Sequence, residues 1–334
     1  MITVMINAIN TYEVFIKQTL LEHLALDDTR DYVIITDTGV PKQWVTKVSS
    51  QLSNVVVFTV NAGEESKSLA VYQHLIAELQ AHSMDKSTCL IALGGGMIGD
   101  LTGFIASTYY RGIDWINIPT TLLAMVDASI GGKVALNTTV SKNVIGAFYP
   151  PLKIMIDPLV LSTLPEKEMG NGYAEMIKIA CIKDAEFLTV LERKSWSLND
   201  QITHAIKLKK WFIEQDPYDL NVRKHLNFGH TVGHALEHLY QYQYSHGQCV
   251  AYGIRIMVHK TPFETRICRV LNAYNLIDVI AYDKPQLIKQ IMHDKKKQKN
   301  AIEIIELSDF GQAIIRSIDP SALEHYIPEK GVLL

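Results

Sequence analysis

An α/β N-terminal domain with a mostly parallel sheet, followed by a mainly α-helical C-terminal domain, is the fold this 334-residue sequence predicts. Three observations carry it. Short apolar runs alternate with amphipathic stretches through the first half. Strand signals largely stop after about Pro158. A glycine-rich turn, Gly94-Gly-Gly-Met-Ile-Gly99, follows an apolar run and opens a helix-like stretch, the context of a Rossmann-like nucleotide site.

Residues 32–37, 54–59 and 88–93 are apolar runs bounded by turn residues and read as buried strands; 115–118 is a fourth. Between them, residues 41–52 and 66–82 read as helices, with Pro41 placed near a helix start. Glu64 and Lys67 lie at the opening of the second. Prolines cluster from Pro150-Pro151 to Pro158, which sets the expected domain boundary: 1–157 and 158–334. Beyond it, residues 169–183, 201–214, 231–242, 249–260 and 284–293 have helical periodicity, and 302–307 with 313–316 form a late pair of strands.

A net charge of −3 creates no field that would gather nucleic acid or an anionic membrane, so neither is an expected partner. An anionic substrate must be met by local cations. The four cysteines, Cys89, Cys181, Cys249 and Cys268, are far apart and form no C-x-x-C pair, which fits free thiols in a reducing compartment. The first residues carry no basic n-region and no apolar run is long enough to span a bilayer, so a cytoplasmic protein is expected.

Gly94, Gly96 and Gly99 satisfy G-x-G-x-x-G, after about the third or fourth strand. Glycine lets a pyrophosphate approach the backbone N–H groups of a helix N-terminus, but a ligand-free strand-to-helix turn has the same pattern. Asp37, at a strand end, is a better ribose partner than Asp114. Asp100 follows the loop directly.

The stretch Asn227-Phe-Gly-His-Thr-Val-Gly-His-Ala-Leu-Glu237 places His230 and His234 one helical turn apart on one face. His246 follows in the loop-like stretch Tyr244-Ser-His-Gly-Gln248. Gathered imidazoles suit zinc, and an open catalytic site takes a third ligand from a carboxylate. Glu175, in an otherwise apolar helix, is the best candidate; an ion pair with Lys178 on the same face is the other reading. Glu237 and His238 also neighbour the cluster. The sequence His-Thr-Val-Gly-His lacks the glutamate of H-E-x-x-H, which argues against a metalloprotease.

Several motifs together resemble the 3-dehydroquinate synthase family: Gly94-Gly-Gly-Met-Ile-Gly-Asp100, Ile118-Pro-Thr-Thr-Leu-Leu123, Val126-Asp-Ala-Ser-Ile-Gly-Gly-Lys133, Lys142-Asn143, Gly172 to Lys178, and Leu226-Asn-Phe-Gly-His-Thr-Val-Gly-His234. The resemblance runs from about Glu64 to the Asp294-Lys-Lys296 segment. It implies an enzyme that converts 3-deoxy-D-arabino-heptulosonate 7-phosphate to 3-dehydroquinate and phosphate, a step of the shikimate pathway. The implied course is transient oxidation by NAD, phosphate elimination, re-reduction and intramolecular aldol closure. It implies Zn2+, with Co2+ as a substitute, on Glu175, His230 and His246, and moves His234 to an acid/base role. NAD positions fall on Asp37, Glu64, Lys67, Gly95, Gly96, Asp100, Thr120, Thr121, Lys142 and Thr163. Substrate positions fall on Asp127, Lys133, Asn143, Lys178, Lys209, Arg223, Asn227 and His234, with a C-terminal lysine, Lys296 or its neighbour Lys295. Of these, Lys133, Lys178, Lys209, Arg223, Asn227 and His234 also carry the implied catalysis. Arg111 matches an arginine that reaches the partner's phosphate site, which implies a homodimer. Departures from the family pattern include Gly39, where many relatives carry asparagine, and Pro262, within or between helices. Another sugar-phosphate cyclase and a metal-dependent polyol dehydrogenase are the alternative readings. Arg223, with Lys209 and Asn227, favours a carboxylated substrate.

Overall fold

The computed structural model describes residues 1–241, 243–276, 280–295 and 301–329. The chain divides into two compact units, Met1–Pro165 with Ile202–Tyr218, and Glu166–Gln201 with Asp219–Leu334.

In the first unit the elements are β1 (Ile2–Asn7), β2 (Thr11–Ile16), β3 (Tyr32–Asp37), α1 (Lys42–Ser49), β4 (Val55–Val60), α2 (Leu69–Ala81), β5 (Cys89–Gly94), α3 (Gly96–Thr108), β6 (Trp115–Pro119), β7 (Lys133–Leu136), β8 (Ile145–Phe148) and β9 (Lys153–Ile156). Among the described residues one sheet has the order β1-β2-β9-β6-β5-β3-β4. Its pairs from β2 to β4 are parallel, and the β1–β2 hairpin is antiparallel. The interior strands β3 and β5 are buried nearly end to end, as a sheet covered on both faces requires. Ile35, Leu90, Ala92, Ile98, Leu101, Phe104 and Trp115 share one core that joins strands to α3.

Some expectations need correction here. The glycine turn follows the fifth strand, not the third or fourth. The β1–β2 hairpin alternates buried with exposed or half-buried positions, and Thr3 and Glu13 interrupt its apolar residues, so its apolar runs are only three residues long and shorter than those by which buried strands are read. Glu64 and Lys67 do not open α2. The Ser68 hydroxyl accepts from Val71 N and caps that helix, which leaves Glu64–Ser66 as a separate 3-10 turn ahead of it.

The second unit contains α4 (Glu166–Lys183), α5 (Ala185–Arg193), the start of α6 (Leu198–Gln215), α7 (His230–Leu239), α8 (His246–Val258), α9 (Glu264–Ala273), α10 (Lys284–Lys295), the antiparallel pair β10 (Ile302–Asp309) and β11 (Gln312–Ile318), and α11 (Leu323–Tyr326). Three of these helices, α5, α9 and α11, carry no expectation from sequence. Asp184 caps α5, its Oδ1 accepting from the N–H groups of Glu186 and Phe187 at 2.9 Å each. Pro262 lies between α8 and α9, where it interrupts no helical ladder.

Residue 246 is the first of α8, not part of a loop. Ser245 accepts from Gln248 N, and Gln248 Oε1 accepts in turn from Ser245 N, a reciprocal capping box. Glycine governs how closely α8 approaches its neighbours. A Cβ on Gly253 would lie 2.0 Å from Gly229 O, and one on Gly247 would lie 2.5 Å from Asn171 Cα of α4. Only glycine permits these contacts, which bring α4, α7 and α8 to one locus.

Candidate active site

Within the first unit, the strands β4-β3-β5-β6-β9 form a doubly wound sheet. After β3 the chain goes to one side for β4, then returns to the other for β5. The crevice at such a reversal, outside the carboxyl ends of the strands, is where open α/β sheets take ligands. Asp37 ends β3 and Gly94 ends β5, so the two sequence signals flank that reversal. Gly95 stands at the N-cap of α3 with no side chain capping it, which leaves first-turn N–H groups for a phosphate. Asp37 Oδ1 accepts from Gly39 N at 2.7 Å. Burial holds its carboxyl above the usual range, against hydrogen bonds from Gly39 and Val40. Thr120 N donates to Gly94 O, and the Thr121 hydroxyl accepts from Ala124 N. Thr163 accepts from the Trp44 indole on α1 at 2.9 Å.

Lys67 is almost fully buried. Its Nζ lies 2.6 Å from Asp100 Oδ2 and 3.3 Å from Glu64 Oε1. Burial disfavours the ammonium, but the two carboxylates outweigh it and raise its pKa. Burial dominates at Asp100 and pushes that carboxyl up to about 6, with Lys67 opposing. Asn137 extends the cluster. Its Nδ2 donates to Glu64 Oε1 at 3.0 Å, its N–H to Lys67 O, and its Oδ1 accepts from Asn143 N. No motif in the sequence singled out Asn137. Its one local signal is its place in the polar loop leading to Lys142-Asn143.

Lys209 is buried, and its Nζ donates to both the backbone carbonyl and a carboxylate oxygen of Asp127. Lys133 begins β7 and is exposed, and Lys142 lies half-buried on the following loop. Arg111 is also exposed and, with Tyr110, adopts left-handed backbone at φ +64° and +48°. Lys296 lies outside the described residues, as does the side chain of Lys295.

Within the second unit, Glu175 comes from the buried face of α4, and His230 and His246 from the first positions of α7 and α8. One ligand-type atom from each lies within 4.8 Å of the others. Glu175 Oε1 is 3.1 Å from His246 Nε2 and 3.4 Å from His230 Nε2, and its Oε2 contacts Lys178 Nζ. The ion pair and the imidazole cluster are therefore both present, on different oxygens.

The other ring nitrogens fix the protons. His230 Nδ1 sits 3.2 Å from Phe228 O, and His246 Nδ1 sits 2.8 Å from Glu237 Oε1. A carbonyl and a carboxylate can only accept, so both Nδ1 atoms donate. In the neutral rings each Nε2 then turns a lone pair toward a carboxylate oxygen. Three acceptors converge with no donor among them, which fits a divalent cation in the Glu/His/His set of an open zinc site. Without a cation a proton takes the place. Burial disfavours a charged His246, but hydrogen bonds to Glu175 and Glu237 prevail and push it up to about 10. Burial also works against the Glu175 carboxylate, yet Lys178 and His230 hold it well below the usual range.

His234 stands one turn along from His230, with ring centroids 5.1 Å apart, but contributes no atom to the cluster. Arg223 is buried on the 3-10 turn Val222–Asn227, and Asn227 ends that turn exposed.

Residues 57–171 match the 3-dehydroquinate synthase N-terminal family, and residues 172–297 match the 3-dehydroquinate synthase C-terminal family. The 3-dehydroquinate synthase of Latilactobacillus sakei subsp. sakei (strain 23K) is 38% identical, over 86% of this chain and 85% of that protein. That of Oceanobacillus iheyensis is 35% identical, over 95% of this chain and 94% of that protein. A crystal structure of 2-deoxy-scyllo-inosose synthase complexed with carbaglucose-6-phosphate, NAD+ and Co2+ aligns with a TM-score of 0.88 at 25% identity, over 98% of this chain and all of that one. The chain belongs to the 3-dehydroquinate synthase family of enzymes.

Proposed function

We propose that this enzyme converts 3-deoxy-D-arabino-heptulosonate 7-phosphate to 3-dehydroquinate and phosphate, using bound NAD and Zn2+, with Co2+ able to replace zinc. The convergence of Glu175 Oε1 and two imidazole Nε2 atoms within 4.8 Å, all acceptors, carries the reading. When bound, NAD+ and the divalent ion supply reversible hydride transfer and polarisation of the hydroxyl being oxidised.

NAD is assigned to the domain 1–157, and the metal to the domain 158–334. Asp37 takes an adenosine ribose, and the α3 N-terminus at Gly95 and Gly96 takes the pyrophosphate. Lys67 orients Asp100 toward the nicotinamide side, and Glu64, Thr120, Thr121, Lys142 and Thr163 complete the pocket. Lys133, Asn143 and Lys209, with Asp127 holding the last, bind anionic and hydroxyl groups of the substrate. On the second unit, Lys178 and Arg223 neutralise phosphate and carboxylate, as local cations must in a chain of net charge −3. His234 exchanges a proton at a ring nitrogen and Asn227 donates to a developing oxyanion. The C-terminal lysine, Lys295 or Lys296, reaches the substrate, and Arg111 acts across a homodimer in the cytoplasm. No described helix is long and apolar enough to cross a membrane.

The test is phosphate release from the heptulosonate phosphate with NAD+ far below substrate concentration. Many phosphates per NAD+ with no accumulation of NADH are expected. Net NADH production from a polyol without phosphate release would overturn the reading in favour of a dehydrogenase. Turnover of glucose 6-phosphate in preference to the heptulosonate phosphate would point to a different cyclase.

A further inference from the structure

Glu237 is buried, its carboxylate 2.8 Å from His246 Nδ1, while the opposite nitrogen of that ring faces Glu175 Oε1 at 3.1 Å. We propose that Glu237 is a positioning residue for the metal, acting through His246 rather than by coordination. The inference rests on the metal reading above and deepens it.

Helix α7 carries His230 at its first position and Glu237 about two turns later on the same face. It therefore supplies one ligand directly and anchors the ring of the other, which arrives on α8. The anchoring has three effects. It places the His246 proton on Nδ1 and leaves Nε2 as the donor atom. It fixes the ring plane, which a rotation about χ2 would otherwise turn away from Glu175. It also puts a negative charge behind the imidazole, which strengthens Nε2 as an electron-pair donor.

The two histidines are not equivalent in this respect. His230 donates its Nδ1 proton to a neutral carbonyl, Phe228 O, at the longer distance of 3.2 Å. That partner is backbone and is set by the helix entry at Gly229. The partner of His246 is a side chain, and a single substitution removes it. A carboxylate held away from water is costly unless bonded, so the buried position of Glu237 serves its acceptor role and not solubility.

The experiment titrates Zn2+ into metal-free full-length protein against a chromophoric chelator of known affinity. Wild type, Glu237→Gln and Glu237→Asp are compared. Glutamine keeps the size and an acceptor oxygen but removes the charge; it should bind zinc about 10–100-fold more weakly. Aspartate restores the charge and should recover part of that loss. Wild-type affinity in the glutamine variant would overturn the inference while leaving the metal reading intact. No zinc binding by wild type would overturn both. A second measurement needs no variant. Long-range 15N–1H spectra of the zinc-loaded protein should place the His246 proton on Nδ1, and a proton on Nε2 would refute the proposal.

Discussion

Glu175 carries two obligations on one side chain, and substitution separates them. With Glu175→Gln the cluster loses its anionic oxygen, so zinc binding should be lost. Lys178 is then left buried without its counter-charge, a change that typically costs about 3–5 kcal/mol. Adding Lys178→Met should restore much of the stability and none of the zinc, as read by denaturant melts and metal content. His246 adds a pH dependence. Its folded pKa of about 10 lies above the ordinary 6.5, so the metal-free protein gains stability from it below about 6.5 and loses that gain as pH rises through about 10. Zinc must displace this proton. Calorimetry at pH 7 in buffers of different ionisation enthalpy should report about one proton released per zinc bound. Asp100 has the same sign. Its carboxyl, raised to about 6, makes the folded state bind protons that the unfolded state has shed, so its contribution to stability falls as pH rises from about 4 to 6. Lys67→Met should deepen that fall and weaken NAD+ binding, measured by melts across this pH range and by nucleotide titration.

The packing of helices turns these residues into a site, and this is the level at which the sequence was least legible. The strands at the crevice proposed for NAD were readable because β3 and β5 are continuous apolar runs. Spacing alone drew attention to His230 and His234; His246 and Glu175 were added as a nearby imidazole and a carboxylate in an apolar helix, and the family resemblance selected the proposed set of Glu175, His230 and His246. Spacing along one helix reports a shared face; it cannot report a carboxylate arriving from α4. Nor could it show why Gly247 and Gly253 are glycines, since their reasons are the backbones of Asn171 and Gly229 on other elements. Gly253→Ala should therefore force α7 and α8 apart, lower stability by several kcal/mol and remove zinc binding, although alanine favours an isolated helix by about 1 kcal/mol. Ser245→Ala should be milder. Loss of the α8 cap costs about 1 kcal/mol, and zinc affinity should fall because His246 is the residue that the cap secures. The helix α5 escaped notice for a simpler reason: its nine residues offer too few repeats for a periodic pattern to stand out from its surroundings.

At the scale of the whole molecule, the proposed assignment gives the two compact units different ligands, so each ligand should protect its own unit. Zinc at 100 times its dissociation constant adds about 2.7 kcal/mol to the state that binds it. Hydrogen exchange should slow chiefly in α4, α7 and α8 when zinc is added, and chiefly around β3, β5 and α3 when NAD+ is added. Uniform protection by either ligand would contradict this division. The first hairpin has a consequence of another kind. Strands β1 and β2 leave the ribosome well before their partners, since β2 pairs with β9, and Asn7 N donates to Glu214 Oε1 at 2.8 Å. Translation at about 5–20 residues per second leaves this hairpin waiting on the order of 10 s for its neighbour strand and longer for Glu214. During that interval its unpaired edge is open to other nascent chains or to chaperones, so the yield of active enzyme in a cell depends on how quickly the middle of the message is read.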